Sequence, residues 1–235
     1  MTKRKNVDDV TSNIPGSEGQ SRKYGMSTLA VHAGARPDPV TGARGTPIYQ
    51  TTSFVFDDAE HGAELFNLQT FGYVYSRMTN PTVSVFEERV AQLEGGRGAV
   101  ATSSGHAAQF IAAATLMEAG DEFIASRNLY GGSVTQFGVS FPKLGWKCNF
   151  VDPTDPANFE KAMNDKVKFI FCEGVANPGG IILDLEKIAD IAHKHGVLLI
   201  VDNTLASPYL LRPFEWGADL VVHSTTKFIG GHGNT

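Results

Sequence analysis

The sequence has 235 residues, of which 42% are hydrophobic and 19% charged, and its formal net charge is −5. This apolar content can bury one sizeable core, whereas the negative charge gives no basic surface for a nucleic-acid backbone, so we predict no nucleic-acid partner. No apolar run approaches the roughly 18 residues that cross a bilayer, so no membrane association is predicted.

The N-terminal stretch 1–25 is polar and rich in turn-forming residues, and it lacks the apolar core of a secretory signal. We predict a disordered arm there. Cys148 and Cys172 are the only cysteines, which is too few for a disulfide framework, and this favours a cytoplasmic location.

Residues 26–81 show no long helical period and contain many Gly, Pro, Thr and aromatic residues. We therefore predict an irregular segment that contacts a neighbouring subunit or lines a site.

From residue 82 to 235, helix-like and strand-like stretches alternate, which is typical of an α/β fold with a mostly parallel sheet and helices on both faces. Amphipathic patterns predict helices at 83–94, 106–118, 156–164 and 185–195. Short apolar runs predict strands at 99–101, 122–124, 169–171, 197–201 and 220–222.

Ligands of open α/β sheets bind at the carboxyl ends of the strands, and polar residues follow each predicted strand here. Ser103, Ser104, Gly105 and His106 precede a helix and could bind a phosphate, although a serine before a helix is more often only an N-cap.

Asp202 and Lys227 each follow an apolar run, where a charge needs a partner. They could form a buried ion pair. Alternatively, a partly desolvated Lys227 could act as a nucleophile or base. A phosphate site, an aromatic ring, an acid and a reactive lysine together suggest pyridoxal phosphate (PLP), bound as an aldimine to the lysine.

Several motifs occur together in a fixed order: Tyr75-Ser76-Arg77, Asn80-Pro81-Thr82, Leu93-Glu94-Gly95-Gly96, Ser103-Ser104-Gly105, Tyr130-Gly131-Gly132, Glu173 with Asn177-Pro178, Val201-Asp202-Asn203-Thr204, and His223-Ser224-Thr225-Thr226-Lys227. From about His32 onwards, the chain resembles the cystathionine γ-synthase-like family of PLP enzymes of cysteine and methionine metabolism. The resemblance implies a PLP-dependent transferase of the aspartate aminotransferase-like fold (fold type I).

The resemblance implies that Lys227 and Tyr130 are catalytic: Lys227 would hold PLP and move protons, and Tyr130 would stack on the ring. Asp202 would keep the ring nitrogen protonated, and Asn177 would lie near the ring hydroxyl. The phosphate would be bound by Ser104, Gly105, His106, Ser224 and Thr226.

In the family, the Tyr and Arg at the positions of Tyr75 and Arg77 reach the phosphate of a neighbouring subunit. The resemblance therefore implies a homo-oligomer, expected to be a tetramer built as a dimer of dimers. A surface ion pair is the alternative for Arg77.

Within the family, the stretches at 32–54 and Ser104-Gly105-His106-Ala107-Ala108-Gln109 look most like O-acetylhomoserine sulfhydrylases. These enzymes make homocysteine and acetate from O-acetyl-L-homoserine and sulfide in methionine biosynthesis. O-succinylhomoserine sulfhydrylase, cystathionine γ-synthase and methionine γ-lyase are the alternatives.

Family members continue beyond the lysine and add a C-terminal small domain, so we expect 82–235 to be an incomplete PLP domain without that small domain. An inactive truncated remnant is therefore a further alternative. No metal site is predicted, because His193 and His195 are two residues apart on a predicted helix and do not face together.

Overall fold

The computed structural model describes residues 24–233, which form two compact units, one ending at Ala101 and the other beginning at Thr102. The predicted disordered arm, apart from Tyr24 and Gly25, lies outside the described residues. The stretch 82–101, which the sequence analysis assigned to the PLP domain, groups with the N-terminal segment instead.

The first unit contains three helices, α1 (Met26–His32), α2 (Ala59–Phe66) and α3 (Pro81–Glu94). Helix α3 begins where the Asn80 side chain accepts a hydrogen bond from the Thr82 N–H, and it ends at Gly95 in the left-handed conformation. The segment predicted as irregular thus holds two short helices and a single β-bridge between Ser53 and Tyr75.

The second unit is a parallel sheet of five strands in the order β2-β1-β3-β4-β5. The strands are β1 (Glu122–Ser126), β2 (Lys147–Val151), β3 (Val167–Glu173), β4 (Leu198–Asp202) and β5 (Leu220–Val222). Its α-helices are α4 (Gly105–Leu116), α5 (Gly131–Thr135), α6 (Ala157–Lys161), α7 (Leu185–Lys194) and α8 (Ser207–Leu210). A π-helical turn at 136–140 and 3-10 turns at 141–144 and 213–216 complete the unit.

Helical layers cover both faces of the sheet, as the alternation of helix-like and strand-like stretches predicts. Successive strand residues point to opposite faces, so Ile170 packs in one core cluster and Phe171 in the other. The first cluster includes buried residues of α6 and α7, and the second includes Ala113 of α4 and the rings of Phe137 and Phe141. The α/β fold with a mostly parallel sheet is confirmed.

One predicted strand is wrong and another was missed. Residues 99–101 form no strand, and Val100 is 81% exposed, so the apolar run is not buried as the prediction required. Strand β2 was missed because it lies at the sheet edge and alternates polar residues, Lys147 and Asn149, with its apolar ones. The predicted helix at 156–164 is shortened to α6.

Among residues 24–233, none of the helices combines the length and the apolar character that crossing a membrane requires.

Candidate functional site

A cavity of about 290 Å³ lies in the second unit at the carboxyl ends of the strands. It is lined by residues that follow β3, β4 and β5 together with the start of α4. Most of the predicted site residues are among them: Ser104, Gly105, His106, Tyr130, Asn177, Asp202, Ser224 and Lys227. Residues at the carboxyl ends of the strands therefore line one cavity, as we predicted from the sequence.

One wall of the cavity is the N-terminus of α4. The Ser104 hydroxyl caps this helix by accepting the Ala107 N–H at 3.1 Å, so the N-cap interpretation of Ser104 is correct. The first N–H groups of a helix have no partner within it, so those of Gly105 and His106 remain free to bind an anion. Gly105 is required for packing here, since a Cβ at this position would lie 2.9 Å from the Ser224 Cβ.

Ser224 is tied to the end of β4 through Thr204. The Ser224 N–H donates to the Thr204 hydroxyl at 2.8 Å, and the Thr204 N–H donates to Asp202 Oδ1 at 2.9 Å. This chain of hydrogen bonds holds the segment after β5 against the acid at the end of β4.

The second oxygen of Asp202 is held by a neutral amide. Gln109, 5% exposed on α4, donates from Nε2 to Asp202 Oδ2 at 3.1 Å. The same amide exchanges hydrogen bonds with the fully buried Ser133 hydroxyl at 3.1 and 3.2 Å. The carboxylate is thus oriented by donors that leave its negative charge unpaired.

Lys227 follows β5 and lines the same cavity, but it forms no ion pair with Asp202. The alternative of a buried Asp202–Lys227 pair is therefore wrong. The expectation of a partly desolvated lysine is also wrong, because the structure places Lys227 among the exposed residues. Strand β5 is only three residues long and its Leu220 is 38% exposed, so the strand end that carries Lys227 is less covered than its apolar sequence suggested.

Tyr130 is half exposed, at 51%, and lies at the cavity wall. The His106 ring stacks near it, with centroids 5.8 Å apart and planes inclined by 25°. Gly132 permits this arrangement, since a Cβ there would approach His106 Cε1 to 2.5 Å and Tyr130 Cε1 to 2.6 Å.

Glu173 is the last residue of β3, and it is only 5% exposed. Its Oε1 accepts the Tyr130 N–H and its Oε2 accepts the Asn177 N–H, both at 2.7 Å. Burial, with a smaller effect from the charge of Asp202, raises the pKa of this carboxyl to about 7, although both N–H donors oppose the shift.

Three predicted site residues do not line this cavity. Thr226 is exposed and absent from its walls. Tyr75 and Arg77 belong to the first unit, where the Arg77 guanidinium lies 5.0 Å from the centre of the Tyr75 ring. This cation–π contact differs from the surface ion pair that was the alternative for Arg77.

Gln109, Thr204 and Glu173 line the cavity, although the sequence motifs that contain them predicted no role for these three residues. Thr204 and Glu173 stand at strand ends, a signal that could have identified them. Gln109 and Asp202 are 93 positions apart in the sequence. The only sequence signal for Gln109 was its position, one turn after the predicted start of the helix that follows Ser104.

His193 and His195 bind different carboxylates, Asp219 and Glu160, each at 2.9 Å. Within the described part of the chain, no group of three or more His, Cys, Asp or Glu side chains could hold a metal ion.

The residues present fit pyridoxal phosphate. The free N–H groups at the start of α4 suit its phosphate, and the exposed face of Tyr130 suits its ring. Lys227 has no carboxylate partner among the described residues, and the unpaired charge of Asp202 suits a protonated ring nitrogen.

Comparison with known proteins supports the assignment of this cavity to pyridoxal phosphate. The chain is 49% identical over 221 residues to O-acetyl-L-homoserine sulfhydrylase of Leptospira meyeri, covering 94% of this chain and 50% of that protein. It is also 49% identical to homocysteine synthase of Schizosaccharomyces pombe over 211 residues, covering 89% and 49% of the two chains. The chain thus spans about half the length of these curated relatives.

A similar solved structure is that of a Campylobacter jejuni protein assigned as an O-acetylhomoserine (thiol)-lyase, with a TM-score of 0.88 and 38% identity. The match covers 91% of this chain and 52% of that one, and that structure contains an N'-pyridoxyl-lysine-5'-monophosphate residue. The family model of Cys/Met metabolism PLP-dependent enzymes matches residues 27–235. The chain therefore belongs to the family of Cys/Met metabolism PLP-dependent enzymes.

Proposed function

We propose that the protein containing this sequence is a PLP-dependent O-acetylhomoserine sulfhydrylase, which replaces the acetate of O-acetyl-L-homoserine with sulfide to give L-homocysteine. The observation that carries the proposal is the presence of Lys227 and Asp202 in one cavity without an ion pair between them. Each group is thus available to a ligand. The names of these relatives, which are identical to this chain at about half of the aligned positions, support the choice of substrate.

When bound, pyridoxal phosphate supplies an electron-withdrawing ring that stabilises negative charge at the substrate carbons. Asp202, oriented by Gln109 and the Thr204 N–H, would hold a proton at the ring nitrogen. The Lys227 amine would hold the cofactor and, once free, move protons at the substrate Cα and Cβ. Acetate would leave from Cγ and sulfide would add at the same carbon.

The remaining predicted residues would orient the cofactor. The Tyr130 ring would cover one face of the cofactor ring, and Asn177 would hydrogen-bond near the ring hydroxyl. The N-terminus of α4 and the Ser224 hydroxyl would bind the phosphate. Thr226 remains a predicted phosphate ligand, although its side chain lies outside the described cavity.

Tyr75 and Arg77 would complete the phosphate site of a neighbouring subunit, so we propose a homo-oligomer, with a dimer of dimers as its expected form. We also propose a cytoplasmic location, which the presence of only two cysteines in the sequence supports.

The test is an assay of the protein expressed from the complete gene. We expect homocysteine from O-acetyl-L-homoserine and sulfide, together with a visible absorbance of the lysine-bound cofactor. Lys227→Ala should abolish both, whereas Lys143→Ala, which changes an exposed lysine outside the cavity, should preserve both.

Four other outcomes would contradict the proposal. A preference for O-succinyl-L-homoserine would indicate the succinyl-dependent enzyme, and cystathionine formed from an activated homoserine and cysteine would indicate the γ-synthase. Release of 2-oxobutyrate from methionine would indicate the γ-lyase. Absence of both the cofactor absorbance and turnover would indicate a non-catalytic remnant.

A further inference from the structure

Glu173 is the most deeply buried carboxylate at the cavity that the chemistry above does not use. It ends β3 and is the register partner of Asp202 on the neighbouring strand β4. A carboxylate with 5% exposure is costly unless strong donors compensate for its lost hydration. Glu173 has such donors, and both are backbone N–H groups of residues on the cavity wall.

The two donors come from separate segments of the chain. Tyr130 immediately precedes α5, 43 positions before Glu173, whereas Asn177 lies four positions after it. Each oxygen of the carboxylate accepts one N–H at 2.7 Å, so the side chain bridges the two segments. Bonds of this length to an ionised oxygen are among the strongest in proteins.

We propose that Glu173 is a positioning residue that fixes Tyr130 and Asn177 against the cofactor, through simultaneous hydrogen bonds from their backbone N–H groups. This inference rests on the proposed function, because it assigns a role toward the ring of the same cofactor. Glu173 acts through the two residues that would contact the ring, and it is not a catalytic residue.

Only the ionised carboxylate can accept both N–H bonds at full strength, because a proton on one oxygen weakens the bond there. Burial raises the pKa of Glu173 to about 7, so the bridge should tighten as the pH rises through neutrality. The titratable groups that share the cavity are Asp202, Lys227, His106 and Tyr130. The adjacent Cys172 is fully buried, and its pKa is raised mainly by that burial and further by Glu173 and Asp202.

The test compares Glu173→Gln with the wild-type protein. The amide keeps the shape of the side chain but turns one acceptor into a donor that faces an N–H group. We expect cofactor affinity at about one pH unit above neutrality to fall about tenfold, the usual effect of losing one charge-assisted hydrogen bond. Wild-type affinity should fall between one unit above and one unit below about pH 7, and the variant should lose this component of the pH profile.

Glu122→Gln is the matched control. Glu122 is also buried, at 9% exposure, but its partners Lys147, Asn149 and Asn164 lie outside the cavity. This variant should leave the cofactor affinity and its pH profile unchanged.

Amide hydrogen exchange tests the bridge without cofactor. In Glu173→Gln at the same pH as wild type, at least one of the Tyr130 and Asn177 amides should exchange faster, and Glu122→Gln should affect neither. Unchanged exchange at both amides, or unchanged cofactor affinity and pH profile, would overturn the role of Glu173 while leaving the proposed function intact. A wild-type protein that exchanges as expected but binds no cofactor would overturn the proposed function, and with it the role toward the cofactor.

Discussion

Replacement of Gln109 by leucine tests whether the hydrogen bond from Gln109 orients Asp202. The substitution preserves the approximate volume of the side chain but removes the donor to Asp202 Oδ2 and both bonds to the Ser133 hydroxyl. Loss of a hydrogen bond to a charged group costs about 1.5–3 kcal/mol, and the Ser133 hydroxyl, 0% exposed, adds a cost of about 1–3 kcal/mol.

The added apolar contacts of leucine offset part of this cost, so we expect the free energy of unfolding to fall by about 3 kcal/mol. For a chain of this size, that loss lowers the melting temperature by roughly 6–12 °C. Denaturant unfolding of the cofactor-free protein measures the change, and a cofactor titration should show weaker binding because Asp202 loses its fixed orientation.

Gln92→Leu is the matched control for this experiment. Gln92 is also buried, at 8% exposure, but its amide contacts Glu88 on its own helix, and its Oε1 has no hydrogen-bond partner among the described residues. Because Glu88 is exposed, water can replace the donor that its carboxylate loses, so leucine should be nearly neutral there and leave cofactor binding unchanged. If Gln109→Leu changes the free energy of unfolding by less than about 0.5 kcal/mol, the reasoning on Asp202 is refuted.

Three further substitutions follow from the same geometry. Hydrogen bonds, led by that from Asn149, lower the pKa of Glu122 to about 2, so its contribution to stability is present above its ordinary pKa of 4.5 and is lost as the pH falls toward 2. Glu122→Ala should cost about 2 kcal/mol at neutral pH and flatten the acid limb of a stability profile; an unchanged limb would contradict this role. Thr204→Val should weaken phosphate binding by about tenfold because the Ser224 N–H loses its acceptor, whereas Thr204→Ser should not, as measured by cofactor titration. Gly105→Ala should weaken cofactor binding more than it affects folding, since its Cβ would displace Ser224; equal affinity would show that the close approach is not needed.

The sequence predicted strands β3 and β4 well because both are largely buried. The runs that became β3, β4 and β5 are continuous and apolar, a pattern that is visible without any knowledge of tertiary structure. The edge strand β2 lacks this pattern. Residues 99–101 show the pattern, but they are not buried and form no strand. Apolar character alone therefore could not separate a central strand from an exposed segment.

The residues that we propose to contact the cofactor were easier to predict than those that support them. Asp202 and Lys227 stand at strand ends, where the fold class itself indicates a ligand. The support of Asp202 by Gln109, and of Tyr130 by Glu173, depends on contacts between residues that are 93 and 43 positions apart. The exposure of Lys227 likewise depends on how far the elements around β5 cover it, which its local sequence does not specify.

Identification of the lysine that carries the cofactor tests the proposed function most directly. The protein is incubated with pyridoxal phosphate, reduced with borohydride and digested, and the peptides are analysed by mass spectrometry. We predict that the pyridoxyl group is found on Lys227. Modification of a different lysine in preference to Lys227, or no specific modification, would contradict it.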